Sequence, residues 1–120
     1  MILPEYISYQ LHIRVERCVS LKIGKLGTFH FPKGDYIYTG SAKKNIAARV
    51  ERHKRKHKPL RWHIDYLLSH DKAKVTGVSY SQNSECNCNQ AVIGDIVVRG
   101  LGSSDCRSGC GSHLKLTRRH

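Results

Sequence analysis

From position 9 to 15 the chain reads Tyr9-Gln10-Leu11-His12-Ile13-Arg14-Val15, apolar at every second position. Alternation of period two among strand-forming residues predicts a half-buried β-strand. Residues 19–23 repeat the pattern after the short Glu16-Arg17-Cys18 connection, so the two segments read as arms of an antiparallel hairpin. Gly24, Gly27, Pro32 and Gly34 mark the next stretch as a loop that holds Phe29-His30-Phe31 extended. Residues 35–39 give a third strand, with Tyr36 and Tyr38 on one face and Ile37 on the other.

The period changes after Gly40-Ser41. Ile46, Ala47 and Val50 form an apolar stripe of helical spacing, which predicts a helix over residues 45–56. Arg49 stands at the border of that stripe, and His53 lies one turn beyond Arg49. Residues 61–68 read as a short second helix, closed off from the first by Pro59, and residues 74–80 as a fourth strand. Ser84 is an N-cap for a third helix running from Glu85 through Ala91 and Val92 to Val97. Gly100 to Gly111 is a loop of small residues, and residues 113–116 an edge strand. The sum is one α/β domain of α+β type, a small mixed sheet led by an antiparallel hairpin and flanked by three helices.

Charge narrows the function. In 120 residues, 21 Lys and Arg stand against 9 Asp and Glu, a formal charge of +12. Nine of the basic residues fall between Lys43 and Arg61, where Glu51 is the one acid. Like charges so crowded on a helix repel, and phosphates relieve the repulsion. Nucleic acid is therefore the expected partner, DNA before RNA, with Lys43, Lys44, Arg52, Lys54, Arg55, Lys56, Arg61 and His63 as its contacts. No apolar run approaches the ~18 residues of a membrane helix, and a cytoplasmic protein is expected.

Several residues carry two readings. Tyr36 and Tyr38 are core aromatics with hydroxyls at the rim, or Tyr38 belongs to a polar site. His63 and Asp65 are a satisfied core histidine and a capping or salt-bridging acid, or site residues. Cys86, Cys88, Cys106, Cys110 and His113 form two clusters of soft donors suited to a structural zinc ion, although the spacing is not that of a standard finger. Buried free thiols and a disulfide between the clusters are the alternatives.

Taken together, Lys25-Leu26-Gly27, Gly34 through Ala42, Arg49 with His53, residues 62–68, Glu85-Cys86, Ser103-Ser104-Asp105-Cys106 and Ser112-His113-Leu114 carry a resemblance. The chain resembles the GIY-YIG nuclease superfamily, and within it the branch catalogued as domain of unknown function 123, which also occurs fused to endonuclease III. Tyr38-Thr39-Gly40 matches the second signature with threonine for isoleucine. Ile7-Ser8-Tyr9 keeps the tyrosine of the first signature without its glycine. The asparagine often found further on has no clear counterpart, its space falling to Asp105 or His113.

The resemblance implies catalytic roles for Tyr9, Tyr38, Arg49, His53 and Glu85. Glu85 would hold Mg²⁺ or Mn²⁺, and Arg49 would grip the scissile phosphate through a bidentate contact. Tyr9 or Tyr38 would take a proton from water, its pKa depressed by Arg49 and the ion. The expected function is thus a metal-dependent DNA endonuclease of repair type. The alternatives are a non-catalytic nucleic-acid-binding module and a zinc-supported protein-interaction domain.

Overall fold

A computed structural model describes residues 6–42, 45–101 and 110–119. Strand β1 (Ser8–Val15) buries Tyr9, Leu11, Ile13 and Val15 on one face, as its alternation requires. β2 (Val19–Ile23) and β3 (Gly27–Phe31) are joined by a single 3-10 turn, and β4 (Gly34–Ser41) follows directly. β5 (Ala73–Ser81) and β6 (Leu114–Arg119) complete a four-stranded sheet of order β5-β1-β4-β6. The helices are α1 (Ile46–Lys54), α2 (His63–Leu68) and α3 (Glu85–Ala91). The architecture is α+β with three helices, and the strand pairings are antiparallel throughout rather than mixed.

The hairpin differs from the expected one. β2 pairs with β3, not with β1, while β1 has β4 on one side and β5 on the other. Its register sets Val19 opposite Phe31 and Leu21 opposite Phe29, apolar cross-strand pairs that bind the two short strands together. The stretch from Gly27 to Phe31 is thus a strand rather than part of a loop.

Two helical stretches also end differently. In α1 the buried positions are Ile46, Val50 and His53, while Ala47 is exposed. α3 stops at Ala91, where Val92 turns to extended backbone, and does not continue to Val97. Ser84 does cap it, its hydroxyl accepting from the Asn87 amide at 3.1 Å. After α3 the chain turns to cover β6, with Asp95 and Leu116 exchanging both backbone hydrogen bonds at 2.9 Å.

The inner sheet face carries Tyr9, Leu11, Ile13, Tyr36, Tyr38, Leu114 and Leu116. Ile46 and Val50 of α1, Ile64, Leu67 and Leu68 of α2, and Ile23 and Phe31 of the hairpin join them in one core. α3 lies on the other face, where Gln10 donates to the Cys88 carbonyl and Lys115 to the Asn89 carbonyl. No helix of the described residues is long and apolar enough to cross a membrane.

The α1–α2 region shows where much of the basic charge goes. The last carbonyls of a helix have no intrahelical donor, and the macrodipole favours a cation there. Lys58 donates to the Arg52 and His53 carbonyls that end α1, at 3.2 and 2.8 Å. Lys56 donates to the carbonyls of Leu68 and His70 beyond α2, at 3.1 and 2.6 Å, and to that of Ala73. Lys115 does the same for α3, reaching Asn89 and Val92 at 2.7 and 3.0 Å. Lys56→Met is expected to cost about 1–3 kcal/mol of unfolding free energy, since its carbonyl partners lose their donor. Lys54→Met, on an exposed side chain, should cost no more than ~0.5 kcal/mol. Urea denaturation of both variants decides this, and equal losses would refute a capping role.

Candidate functional site

In the β1–β4 register Tyr9 stands opposite Gly40. A Cβ at position 40 would lie on the Tyr9 hydroxyl and 2.5 Å from its Cζ, so the phenol can cross β4 only over a glycine. That path delivers the Tyr9 oxygen to His53 on α1, 2.7 Å from Nε2. The guanidinium of Arg49, one turn earlier on the same helix, is near enough to the phenol to oppose part of the rise that burial causes in its pKa.

His53 is 1% exposed and ringed by aromatics. Its imidazole centroid lies 5.4 Å from that of Tyr9, 5.9 Å from Tyr38 and 5.5 Å from Trp62. Nδ1 has no hydrogen-bond partner among the described residues. Burial, reinforced by the nearby Lys58 ammonium, lowers the His53 pKa to about 4, so the ring is neutral near pH 7.

The solvent-facing rim lies above these buried rings. Arg49 donates through Nη1 to the Ser41 carbonyl at 2.7 Å, and its guanidinium packs over Trp62, 4.9 Å from the ring centroid. Arg52 and Arg61 flank the same indole at 4.2 and 5.8 Å. The Ser41 side chain lies close enough to Glu85 to help hold its carboxyl below the ordinary value. Glu85, 25% exposed at the start of α3, lies with Oε1 2.7 Å from Nδ1 of buried His113. Burial raises its pKa, but hydrogen bonds from His113 and Ser41 and the charge of Arg49 outweigh this, and the carboxyl lies below its ordinary value.

The fold thus brings Tyr9, Tyr38, Arg49, His53 and Glu85 together from β1, β4, α1 and α3. It corrects one expectation about their chemistry. Tyr9 and Tyr38 are only 2% and 7% exposed, and burial raises both phenols above the ordinary tyrosine value. Arg49 pulls in the opposite direction, but desolvation is the larger effect. Tyr36 is a core residue with its hydroxyl on the Pro32 carbonyl at 2.5 Å, and so meets the structural reading.

The expected phosphate contacts divide. Lys54, Arg55 and Arg61 are exposed, His63 is half-buried, and Lys43 and Lys44 lie outside the described residues. Arg52 is engaged internally, making a two-pronged contact with buried Asp65 at 3.0 and 3.0 Å and donating to the Pro59 carbonyl. Lys56 is held by the carbonyls named above. Asp65 is both the capping and the salt-bridging acid, accepting from the Trp62 and Arg61 amides as well. Burial raises its pKa, and the Arg52 and backbone hydrogen bonds lower it further than that.

The cysteines divide too. Ligand atoms of Cys86, Cys110 and His113 lie within 4.8 Å of one another, so these three residues can bind a metal ion. Cys88 turns away, 3.4 Å from the Ser8 hydroxyl, and Cys106 lies outside the described residues. Two contributors escaped the sequence: Ser41, although it directly follows Gly40, and Trp62 as a platform for guanidinium groups. An indole within so basic a run was the available signal for the second.

The family model Domain of unknown function DUF123 matches residues 8–120. The chain belongs to the DUF123 family. The match takes in the DUF123 domain from the first residue of β1 onward and so includes the whole Tyr9–Glu85 cluster. No curated protein and no solved structure matches the chain.

The neutral His53 gives this cluster a pH signature. Its pKa is about 6.5 in an unfolded chain and about 4 when folded, so between these values protons favour the unfolded state. Its contribution is complete above the unfolded value and is lost as pH falls toward the folded one, by up to about 3 kcal/mol. Unfolding free energy measured from pH 7 to pH 4.5 should fall steeply in the native protein and much less in His53→Gln. Parallel curves would show that His53 is not held neutral by the fold.

Proposed function

We propose that this DUF123 domain binds DNA and hydrolyses a phosphodiester at the rim formed by Arg49, Ser41, Trp62 and Glu85. The observation that carries the reading is the convergence of a guanidinium, a carboxylate and two phenols from four elements beside exposed Lys54, Arg55 and Arg61. The reaction class comes from the resemblance to GIY-YIG nucleases.

In this reading Arg49 grips a phosphate. Its side chain is oriented before substrate arrives by the Ser41 carbonyl and the Trp62 indole, which lowers the ordering cost of binding. Tyr9 and Tyr38 keep their protons in the free domain and position Arg49 and His53 from beneath. Among the described residues Glu85 is the carboxylate facing this rim, because Asp65 is consumed by Arg52. A hard divalent ion that retains most of its waters needs only one or two carboxylates, so Glu85 fits Mg²⁺ or Mn²⁺. When bound there, such an ion supplies charge stabilisation and a more acidic water. Arg61 and Lys54 extend the cationic track. For the soft donors Cys86, Cys110 and His113, zinc is the ion proposed, since thiolate and imidazole are its usual ligands.

A second reading has an observation of its own. With both phenols buried and holding their protons, neither tyrosine of the free domain is ready to accept a proton from water, as suits a module that binds without cutting. A panel of single-stranded, duplex and branched DNAs with Mg²⁺ or Mn²⁺ separates the two. Hydrolysis is expected to fall ~10²–10³-fold in Arg49→Ala and to vanish in Glu85→Gln, while both variants keep salt-dependent binding. Binding without cleavage of any substrate leaves the module alone, and absence of binding at low salt sinks both.

A further inference from the structure

His113 Nδ1 and Glu85 Oε1 are 2.7 Å apart, and His113 is also one of the three residues whose ligand atoms cluster within 4.8 Å. We infer that Glu85 is the outer carboxylate of a transition-metal centre made by Cys86, Cys110 and His113, so that filling this centre fixes the carboxylate at the rim. The inference deepens the zinc assignment above. It is independent of cleavage, because its readouts are metal content and affinity.

Donor chemistry comes first. Around a tetrahedral zinc ion, sulfur at ~2.3 Å and nitrogen at ~2.0–2.1 Å place neighbouring donors ~3.5–3.8 Å apart. An assembly already inside 4.8 Å needs only a slight contraction. The donors come from separate parts of the chain: Cys86 from the first turn of α3, Cys110 and His113 from the segment that leads into β6. Ligation would therefore tie α3 to the β6 edge. Gln90 donates toward the Cys110 sulfur at 3.7 Å.

Imidazole chemistry supplies the link to Glu85. A neutral histidine that ligates through one nitrogen carries its proton on the other and presents it to a carboxylate or carbonyl. That partner sets the tautomer, holds the ring and raises the basicity of the ligand. Here Nδ1 faces Glu85, so Nε2 is the ligating atom. The coupling is reciprocal: if Glu85 strengthens metal binding, the bound metal strengthens the hold on Glu85 by the same factor. Glu85 also meets Ser41, which in turn meets Arg49, and the chain of contacts ends at the phosphate-gripping guanidinium.

The test is titration of the metal-stripped full chain with Co²⁺, followed by displacement with Zn²⁺ under chelator competition. One Co²⁺ per chain with a thiolate charge-transfer band is expected, lost in Cys86→Ala and Cys110→Ala and retained in Cys88→Ala, whose sulfur lies with Ser8. Glu85→Gln should keep the stoichiometry and lower zinc affinity about 10–100-fold. Absence of the band in the native chain, or its loss in Cys88→Ala, overturns the centre. Unchanged zinc affinity in Glu85→Gln overturns the coupling, with the folded state of each variant checked by its circular dichroism. Cleavage plays no part in these outcomes, so the nuclease proposal and the metal centre can fail separately.

Discussion

Tyr9 lies across Gly40, and most of the site follows from that one close approach. A side chain at position 40 would occupy the space of the phenol, so the β1–β4 register and the position of the hydroxyl are fixed together. Slipping the strands by one residue would turn Leu11, Ile13 and Val15 to the opposite face, which the core forbids. The hydroxyl then meets His53, whose ring is wedged among Tyr9, Tyr38 and Trp62, and α1 is docked in a single rotation. Arg49 reaches the rim because His53, one turn later, is anchored beneath it. A tyrosine and a glycine on adjacent strands thus place a cation belonging to a helix.

The positive charge proves less uniform in purpose than its count implies. Lys56, Lys58 and Lys115 are spent on helix C-termini, and Arg52 on a buried carboxylate. Each ends a short helix or holds two together where packing area is small. Their ammonium and guanidinium groups are already hydrogen-bonded, and recruiting them to a phosphate would expose carbonyls or strand Asp65 without its partner. The basic surface not spent in this way is narrower, made by exposed Lys54, Arg55 and Arg61 with half-buried Arg49. Arg49 and Arg61 lie over the Trp62 ring, which gives these two cations an apolar floor.

Strand faces were legible in the sequence and strand partners were not. Alternation places Tyr9, Leu11, Ile13 and Val15 on one side of β1 and Tyr36 with Tyr38 on one side of β4, and both hold. It contains no information on which edge meets which, so the short link at 16–18 suggested a hairpin, whereas β2 finds its apolar partners in Phe29 and Phe31. The N-cap at Ser84 was legible because its chemistry is local, while the end of α3 was set by the distant pairing of Asp95 with Leu116. The direction of the tyrosine pKa shifts was not legible, because it depends on how far burial outweighs one arginine. Cysteine spacing likewise gave five soft donors, and only the fold separates Cys86 and Cys110 from Cys88.

Glu85 is where the remaining demands meet. It caps nothing and fills no core position, yet it is held by Ser41 from β4 and by buried His113 ahead of β6, with Arg49 close enough to lower its pKa. A surface glutamate normally loses side-chain entropy on being fixed, and an exposed ion pair returns little of it. Three partners from three different elements recover that loss only where the carboxylate orientation itself matters. The oxygen that faces His113 cannot also face a hard cation without competing for its lone pairs. In the proposed reading the carboxylate therefore serves two neighbours at once, the soft donors Cys86, Cys110 and His113 and the rim beside Arg49.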